Sequence, residues 1–147
     1  MDPLLSAIEM ARWTAWKRAS DTVLAAIARD IAAASDLSAA DFAVLSRVLE
    51  IGDGAMRQQE LATLLGWQRS RLSRHVSRMQ SRGLVVAVSE KGARMIKATE
   101  AGRAAMVTAR PAHAAAVRRA LFDAVPEGSS AKFWTGISSI SDREQEH

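Results

Sequence analysis

Apolar residues recur at helical spacing along most of the chain, and this pattern predicts a mainly α-helical protein. Residues 3–34 carry such a stripe among many alanines, which predicts one long helix. A second helix is expected to begin at Ser38, because Ser38 followed by Asp41 matches a helix capping box. It should end at the Gly-Asp-Gly of residues 52–54, and a short helix is expected from about Arg57.

The next predicted helix, within residues 66–84, contains five arginines and no acidic residue. Leu72, Val76 and Met79 fall at i, i+4 and i+7, so a thin apolar stripe should face a core while arginines and serines cover the remaining surface. Gly83 is expected to end the helix. In an isolated helix such a basic surface would favour simple solvation. Two helices joined by a tight glycine turn, however, are typical of the DNA-binding helix-turn-helix.

A β-hairpin is predicted directly after the arginine helix. Residues 84–88 form a β-branched run, residues 89–92 can turn, and residues 93–98 can return as the partner strand. A hairpin at this place is the wing of a winged helix-turn-helix lobe. The fold class expected is therefore mainly α with a small β-hairpin wing.

Helices are expected again in the last third of the chain. One should run from Thr99 to about Ala124, with a kink or a helix boundary near Arg110 because Pro111 follows. After a loop, a last short helix is marked by apolar residues between 133 and 140.

The whole chain of 147 residues suits a single domain in three parts. Residues 37–99 form the winged helix-turn-helix lobe. Residues 1–36 and 100–147 carry more apolar surface than so small a lobe can cover, so we expect them to be dimerisation helices that pair with a second copy. An intramolecular helical bundle is the alternative.

The amino-acid composition excludes several kinds of functional site. The chain has no cysteine, which excludes disulfides and thiolate metal sites, and its three histidines are too scattered to predict a metal site. No apolar run is long enough for a membrane span and no secretory pattern opens the chain, so we expect a cytoplasmic protein without membrane association. No nucleophile-base motif or glycine-rich phosphate loop occurs, so we expect neither an enzyme nor a bound cofactor.

The positive charge is concentrated in the predicted lobe. The chain has a formal net charge of +4, but residues 57–97 hold nine basic and two acidic side chains, a net +7 that leaves −3 for the rest. A basic block between neutral or acidic flanks is typical of a nucleic-acid surface on a non-binding frame. An anionic membrane would attract the same charge, but the arginine helix lacks the wide apolar face of an interfacial helix.

Five motifs, in order, resemble the MarR family of bacterial transcription regulators. They are Leu-Ser-x-x-Asp-Phe-x-Val-Leu (37–45), Gln-x-Glu-Leu-Ala-x-x-Leu-Gly-Trp (58–67), Ser-Arg-Leu-Ser-Arg (70–74), Arg-Met-x-x-Arg-Gly-Leu-Val (78–85) and Thr-Glu-Ala-Gly-Arg (99–103). Residues 112–113 and 117–123 further resemble an actinobacterial-type branch of that family. The resemblance implies a winged-helix homodimer that binds pseudo-palindromic double-stranded DNA, often near its own promoter, and often releases it when a small molecule binds.

The start of a recognition helix reaches base edges, so its polar side chains are the first candidates for DNA contact. Arg78 and Arg82, farther along, are expected to hold phosphates, Trp67 to pack, and His75 to be a bystander. The full set of DNA-binding candidates on this helix is Gln68, Arg69, Ser70, Arg71, Ser73, Arg74 and Arg78.

The wing departs from the usual pattern of the family, in which an Asp-x-Arg near the tip sends its arginine into the minor groove. Here the hairpin is shorter and more apolar, and Gly-Ala-Arg stands at 92–94. Arg94 inherits the arginine's role or Lys91 at the tip substitutes for it; the sequence leaves both open.

Family members commonly bind effectors where the first, second and fifth helices approach the DNA lobe. Trp13, Trp16, Phe42 and Met106 are candidates to line such a pocket, although each residue type is more often core. The function expected is a homodimeric, sequence-specific DNA-binding regulator, a repressor modulated by a small-molecule ligand. The alternative is a helical protein-interaction or non-specific nucleic-acid-binding module.

Overall fold

A computed structural model describes residues 2–143, so Met1 and residues 144–147, the ends of the two predicted dimerisation segments, lie outside it. The elements are α1 (Ala7–Ser35), α2 (Ala39–Glu50), β1 (Ala55–Arg57), α3 (Gln58–Leu65), α4 (Arg69–Ser81), β2 (Val85–Glu90), β3 (Ala93–Ala98), α5 (Glu100–Val117) and α6 (Ser130–Arg143). A π-helical turn (Arg118–Phe122) follows α5, and a 3₁₀ turn (Glu127–Ser129) precedes α6. The predicted mainly helical fold with a small wing is confirmed.

Local signals set several helix ends as predicted. Ser38 caps α2: its Oγ accepts from the Asp41 N–H at 3.0 Å while the Asp41 carboxylate accepts from the Ser38 N–H at 2.9 Å. Gly66 ends α3 in the left-handed conformation at φ 65°. Gly83 follows α4 at φ 75°, a value that a residue with a Cβ rarely adopts.

The sheet has three strands in the order β1, β3, β2, all antiparallel. Sequence reasoning missed β1, placing Arg57 at the start of a helix instead of at the end of a strand. Residues 55–57 pair with residues 95–97 of β3, so this short strand exists through a partner 40 residues away, which no local pattern reveals.

The expected hairpin turn over residues 89–92 is wrong in extent. Ser89 and Glu90 belong to β2, where they pair with Arg94 and Ala93. The turn is only Lys91-Gly92, and both residues have positive φ, 51° and 76°. That combination is required by a two-residue type I′ turn, whose twist matches the twist of the strands it joins.

Residues 27–114 form one compact unit with its own core. Leu72, Val76 and Met79 of α4 are fully buried in it, as the spacing predicted. They pack in a cluster with residues from α2, α3 and β3, including Leu45, Leu61 and Ile96. The apolar stripe of α4 therefore holds this helix against the lobe and leaves its arginines outside.

The junction of the wing with α5 explains the Thr-Glu-Ala-Gly-Arg motif. Thr99 donates its hydroxyl to the Gly83 carbonyl at 2.5 Å and accepts from the Gly102 N–H at 3.1 Å. A Cβ on Gly102 would lie 2.2 Å from the Leu84 carbonyl oxygen, so only glycine fits. The Arg103 guanidinium similarly occupies the space that a Cβ on Gly54 would need.

A helix boundary near Arg110, one of the two outcomes expected from Pro111, does not occur. Pro111 lies inside α5, which continues to Val117 before widening into the π-helical turn. Residues 2–26 and 115–143 form the described part of a second compact unit. In this unit Phe122 and Phe133 meet the Trp134 ring edge to face, at centroid distances of 5.5 and 4.8 Å.

Candidate nucleic-acid interface

Helix α4 presents a basic surface to solvent. Gln68 is its N-cap residue in an extended conformation, without a side-chain capping bond, so its amide is left for other contacts. Six of the seven predicted DNA-binding side chains on this helix are exposed and Ser73 is half-buried. The exposed six are Gln68, Arg69, Ser70, Arg71, Arg74 and Arg78.

Arg71 is held in place by Trp67. Its guanidinium lies over the indole ring at 4.0 Å from the ring centroid, close enough for a cation-π contact. The His75 ring meets the same indole edge to face at 5.7 Å. Trp67 itself packs against the core, as predicted, and the sequence analysis missed its contact with Arg71. Residues 67, 71 and 75 are spaced by one helical turn, which is the signal that could have revealed it.

A buried carboxylate joins α4 to α2. Asp41 is 1% exposed, and its Oδ2 accepts from the Arg82 guanidinium at 2.7 Å. The other guanidinium nitrogen of Arg82 donates to the Asp36 carbonyl at 3.0 Å. The sequence analysis missed these two contacts, which hold the Arg82 side chain within the lobe; its contact with a DNA phosphate stays a prediction.

His75 completes the cluster, a contact that the sequence analysis missed. Its Nε2 lies 2.9 Å from Asp41 Oδ1, a close polar contact whose angle departs from that of a hydrogen bond. The Arg78 guanidinium donates to Nδ1 at 3.2 Å. His75 is 12% exposed and thus links the solvent face of α4 to the buried carboxylate.

The electrostatic balance at Asp41 favours the charged form. Burial works to raise the pKa of this carboxyl, but the hydrogen bond from the Ser38 backbone and the contact with Arg82 outweigh it, and the pKa lies below its ordinary value of 3.8. Asp41 therefore stays ionised and attracts Arg82 at neutral pH. The charge fixes the C-terminal end of α4 relative to the cap of α2.

The two predicted DNA-binding residues of the wing lie at different positions along the hairpin. Lys91 is exposed at the two-residue tip, whereas Arg94 is exposed one residue farther down β3. Glu90, the acidic residue of the wing, is paired with Lys97 and so does not neutralise either of them.

Arg94 lines a notch between the wing and the start of α4. The notch has a volume of about 270 Å³, and the side chains around it come from β1, α3, α4 and β3. Its charged members are Arg57, Arg69 and Arg94. Sequence reasoning counted Arg57 only in the net charge, since its place beside Arg94 depends on the missed pairing of β1 with β3.

The four candidate effector-pocket residues divide between the two compact units. Trp13 and Trp16 are about half exposed, at 49% and 46%, in the unit of residues 2–26 and 115–143. In the other unit Met106 is fully buried in the core and Phe42 stacks on His113 at 4.6 Å. Trp16 also lines an apolar groove with residues of the π-helical turn and α6, including Leu121, Phe133, Trp134 and Ile137.

Two further observations concern other kinds of function. Within residues 2–143 there is no group of three or more acidic or histidine side chains that could hold a metal ion. No helix of that same stretch is both long and apolar enough to cross a bilayer.

A helix-turn-helix with an arginine-covered second helix and a β wing defines a winged-helix lobe of the kind that binds DNA. Comparison with solved structures finds the same fold in MarR family regulators. AbsC, a MarR family transcriptional regulator from Streptomyces coelicolor, superposes with a TM-score of 0.85 at 23% identity, over 99% of this chain and 100% of that one. Sco3205, a MarR family regulator from the same organism solved in complex with DNA, superposes at 0.81 with 21% identity, over 96% and 91% of the two chains.

A third similar structure is CouR from Rhodococcus jostii RHA1 bound to p-coumaroyl-CoA, with a TM-score of 0.68, 26% identity and coverage of 84% of this chain and 87% of that one. The family model DUF7343, a domain of unknown function, matches residues 31–92. No curated protein matches the sequence. The resemblance to the MarR family is confirmed: the chain has the winged-helix fold of these regulators over nearly its whole length.

Proposed function

We propose that the protein is a sequence-specific, DNA-binding transcription regulator that acts as a homodimer. The observation that carries the proposal is the exposed arginine face of α4, backed by the fully buried Leu72, Val76 and Met79. A helix held this firmly by its apolar stripe can present side chains to a major groove at a defined position. Arginine bonds guanine in a bidentate manner, and serine reaches a base or a phosphate.

Arg71 and Arg74 are the proposed base-reading residues. The Trp67 ring restricts Arg71 before DNA arrives, so less side-chain entropy is lost on binding. Arg74 is exposed one turn from the start of the helix, within reach of the same groove. Gln68, Arg69, Ser70, Ser73 and Arg78 would surround them with further base and phosphate contacts.

The homodimer is proposed from the apolar surface of the unit that contains both chain ends. Leu5, Ile8, Trp13, Trp16 and Leu24 on or near α1 are each about half or more exposed. Large apolar side chains at this density are typical of an association surface. A two-fold pair would set two recognition helices about 34 Å apart, one turn of duplex, and so would favour a pseudo-palindromic site.

Repression relieved by a small molecule is the regulatory mode we propose, in keeping with the ligand-bound structure of CouR. Trp13 and Trp16, about half exposed in the unit that contains both chain ends, remain the proposed ligand-contacting residues, whereas Phe42 and Met106 belong to the other unit, where Met106 is fully buried. Quenching of tryptophan fluorescence by p-coumaroyl-CoA, reduced in Trp16→Phe and accompanied by weaker DNA binding, would support this mode of regulation. Quenching without any change in DNA binding would contradict it.

The test of the main proposal is fluorescence anisotropy with two duplexes of equal length, one from the gene's own upstream region and one random. We expect tighter binding to the first and a steep salt dependence with both. Arg71→Ala and Arg74→Ala should each reduce the preference by about 1 to 3 kcal/mol. Arg12→Ala, an exposed arginine of α1, is the control and should change neither.

Equal affinity for both duplexes would contradict sequence-specific regulation and favour a non-specific nucleic-acid-binding module. A protein that binds neither duplex would instead be the helical protein-interaction module. If both arginine variants keep the preference for the upstream duplex, the bases are read by residues outside α4.

A further inference from the structure

The notch between the wing and the recognition helix brings together three arginines that are far apart in sequence. Arg57 ends β1, Arg69 is the first residue of α4, and Arg94 lies in β3. All three are exposed at the rim of a cavity of about 270 Å³, while one ordered water needs only about 10–15 Å³ of such space. The cavity can therefore admit a polyatomic ion with some of its water.

None of the three guanidinium groups is neutralised by the rest of the lobe. Across residues 2–143 no ion pair or side-chain hydrogen bond engages Arg57, Arg69 or Arg94. This distinguishes them from Arg82, which is bound to Asp41. Three like charges around one cavity repel one another, and an anion between them would remove that cost.

Other parts of the notch can accommodate an oxyanion. No side-chain hydrogen bond among the described residues engages the Gln58 carboxamide, so this group can turn and donate its amide N–H groups to an anion. Gly92 and Ala93 form the wall on the side of the wing, and neither blocks the approach with a bulky side chain. The notch thus combines fixed positive charge, an uncommitted amide and open access.

We propose that this notch is an oxyanion site and that its occupant is one phosphate of the DNA backbone, gripped jointly by Arg57, Arg69 and Arg94. This inference rests on the proposed DNA-binding function. It assigns Arg94 to a phosphate, not to the minor groove. A single phosphate held between wing and recognition helix fixes the register of α4 on the duplex while carrying no sequence information itself.

The test measures how DNA affinity depends on salt in Arg57→Gln, in Arg94→Gln and in the triple variant that also carries Arg69→Gln, with Arg12→Gln as a control that removes one exposed charge on α1. The slope of log K against log [salt] falls by about 0.9 for each phosphate that the protein no longer neutralises. We expect the slope to fall by about 0.9 in the triple variant and by no more than that in either single variant, because all three arginines share one phosphate. The preference for the upstream duplex over the random one should be unchanged.

Three results would overturn the proposal. A decrease of about 1.8 in the slope of the triple variant would mean two separate phosphates. An altered base preference in Arg94→Gln would mean that Arg94 reads a groove. If the variants still bind DNA with unchanged slopes, the notch does not hold a DNA phosphate, but the proposed function stands. If the unaltered protein does not bind duplex DNA, the proposed function is refuted as well.

Inorganic phosphate, titrated by calorimetry without DNA, distinguishes the two sources of the anion. Saturable phosphate binding that is abolished in Arg57→Gln and kept in Arg12→Gln, together with unchanged DNA slopes, would assign the notch to a free phosphate ligand. That result would overturn the proposed DNA occupant. Matching thermal unfolding of all variants would show that the substitutions leave the fold intact.

Discussion

Removing the charge of Asp41 is the most informative perturbation of the lobe. In Asp41→Asn the side chain keeps its shape, but Arg82 and His75 lose the carboxylate that they contact at 2.7 and 2.9 Å. A hydrogen bond to a charged group, such as the one from Arg82, contributes about 1.5 to 3 kcal/mol, and breaking a fully buried pair costs about 3 to 5 kcal/mol.

The stability lost in Asp41→Asn should be smaller than for a fully buried pair, because the Arg82 side chain is 46% exposed and can be hydrated. We therefore expect Asp41→Asn to lower the free energy of unfolding by about 2 to 4 kcal/mol, and Tm by about 6 to 12 °C. Urea unfolding followed by circular dichroism measures the first quantity and a thermal scan the second. Asp53→Asn is the matched control, since Asp53 is exposed at φ 53°, where asparagine is well tolerated.

The same variant tests the sign of the pH dependence. Because the pKa of Asp41 is below 3.8 in the folded protein, its contribution to stability is complete at pH values above 3.8. It is lost as the pH falls through the lower, folded value. Stability of the unaltered protein should thus drop over this acidic range more steeply than that of Asp41→Asn. Parallel curves, or a cost for Asp41→Asn no larger than that for Asp53→Asn, would refute the role assigned to the carboxylate.

Two further predictions concern backbone positions. Gly102→Ala should lower the free energy of unfolding in urea by about 1 to 3 kcal/mol, because its Cβ would meet the Leu84 carbonyl oxygen. The control Gly136→Ala, in open space within α6, should raise it by up to about 1 kcal/mol. Equal effects of the two substitutions would contradict the close packing at Gly102. Lys91→Asn should stabilise the protein by about 0.5 to 1 kcal/mol, because asparagine tolerates the positive φ of this turn better than lysine does. If Lys91→Asn is no more stable than Lys91→Ala, the type I′ assignment of the turn is contradicted.

Features encoded by neighbouring residues were predictable from the sequence. The buried stripe of Leu72, Val76 and Met79 follows from helical spacing alone, and the Ser38 and Asp41 capping box from a three-residue offset. The arginine surface of α4 followed directly once that stripe had been assigned to the core.

Features that depend on distant partners were not predictable in this way. Arg82 resembled every other arginine of its helix, and only the fold brings it to Asp41, 41 residues earlier. Strand β1 and the place of Arg57 in the notch likewise depend on pairing with β3. The hairpin turn was placed too early because Ser89 and Glu90 have weak strand preference, which pairing with Arg94 and Ala93 overrides.

The two-residue turn between β2 and β3 has a thermodynamic consequence. A long wing tip is a disordered loop that must be immobilised on its target, at about 1 to 2 kcal/mol for each residue ordered. Here pairing continues to Glu90 and Ala93, so almost nothing remains to be ordered. The wing consists of two paired six-residue strands, each about 20 Å long. A longer arm would adapt its shape more readily, whereas this wing would contact the proposed DNA site with its shape already set.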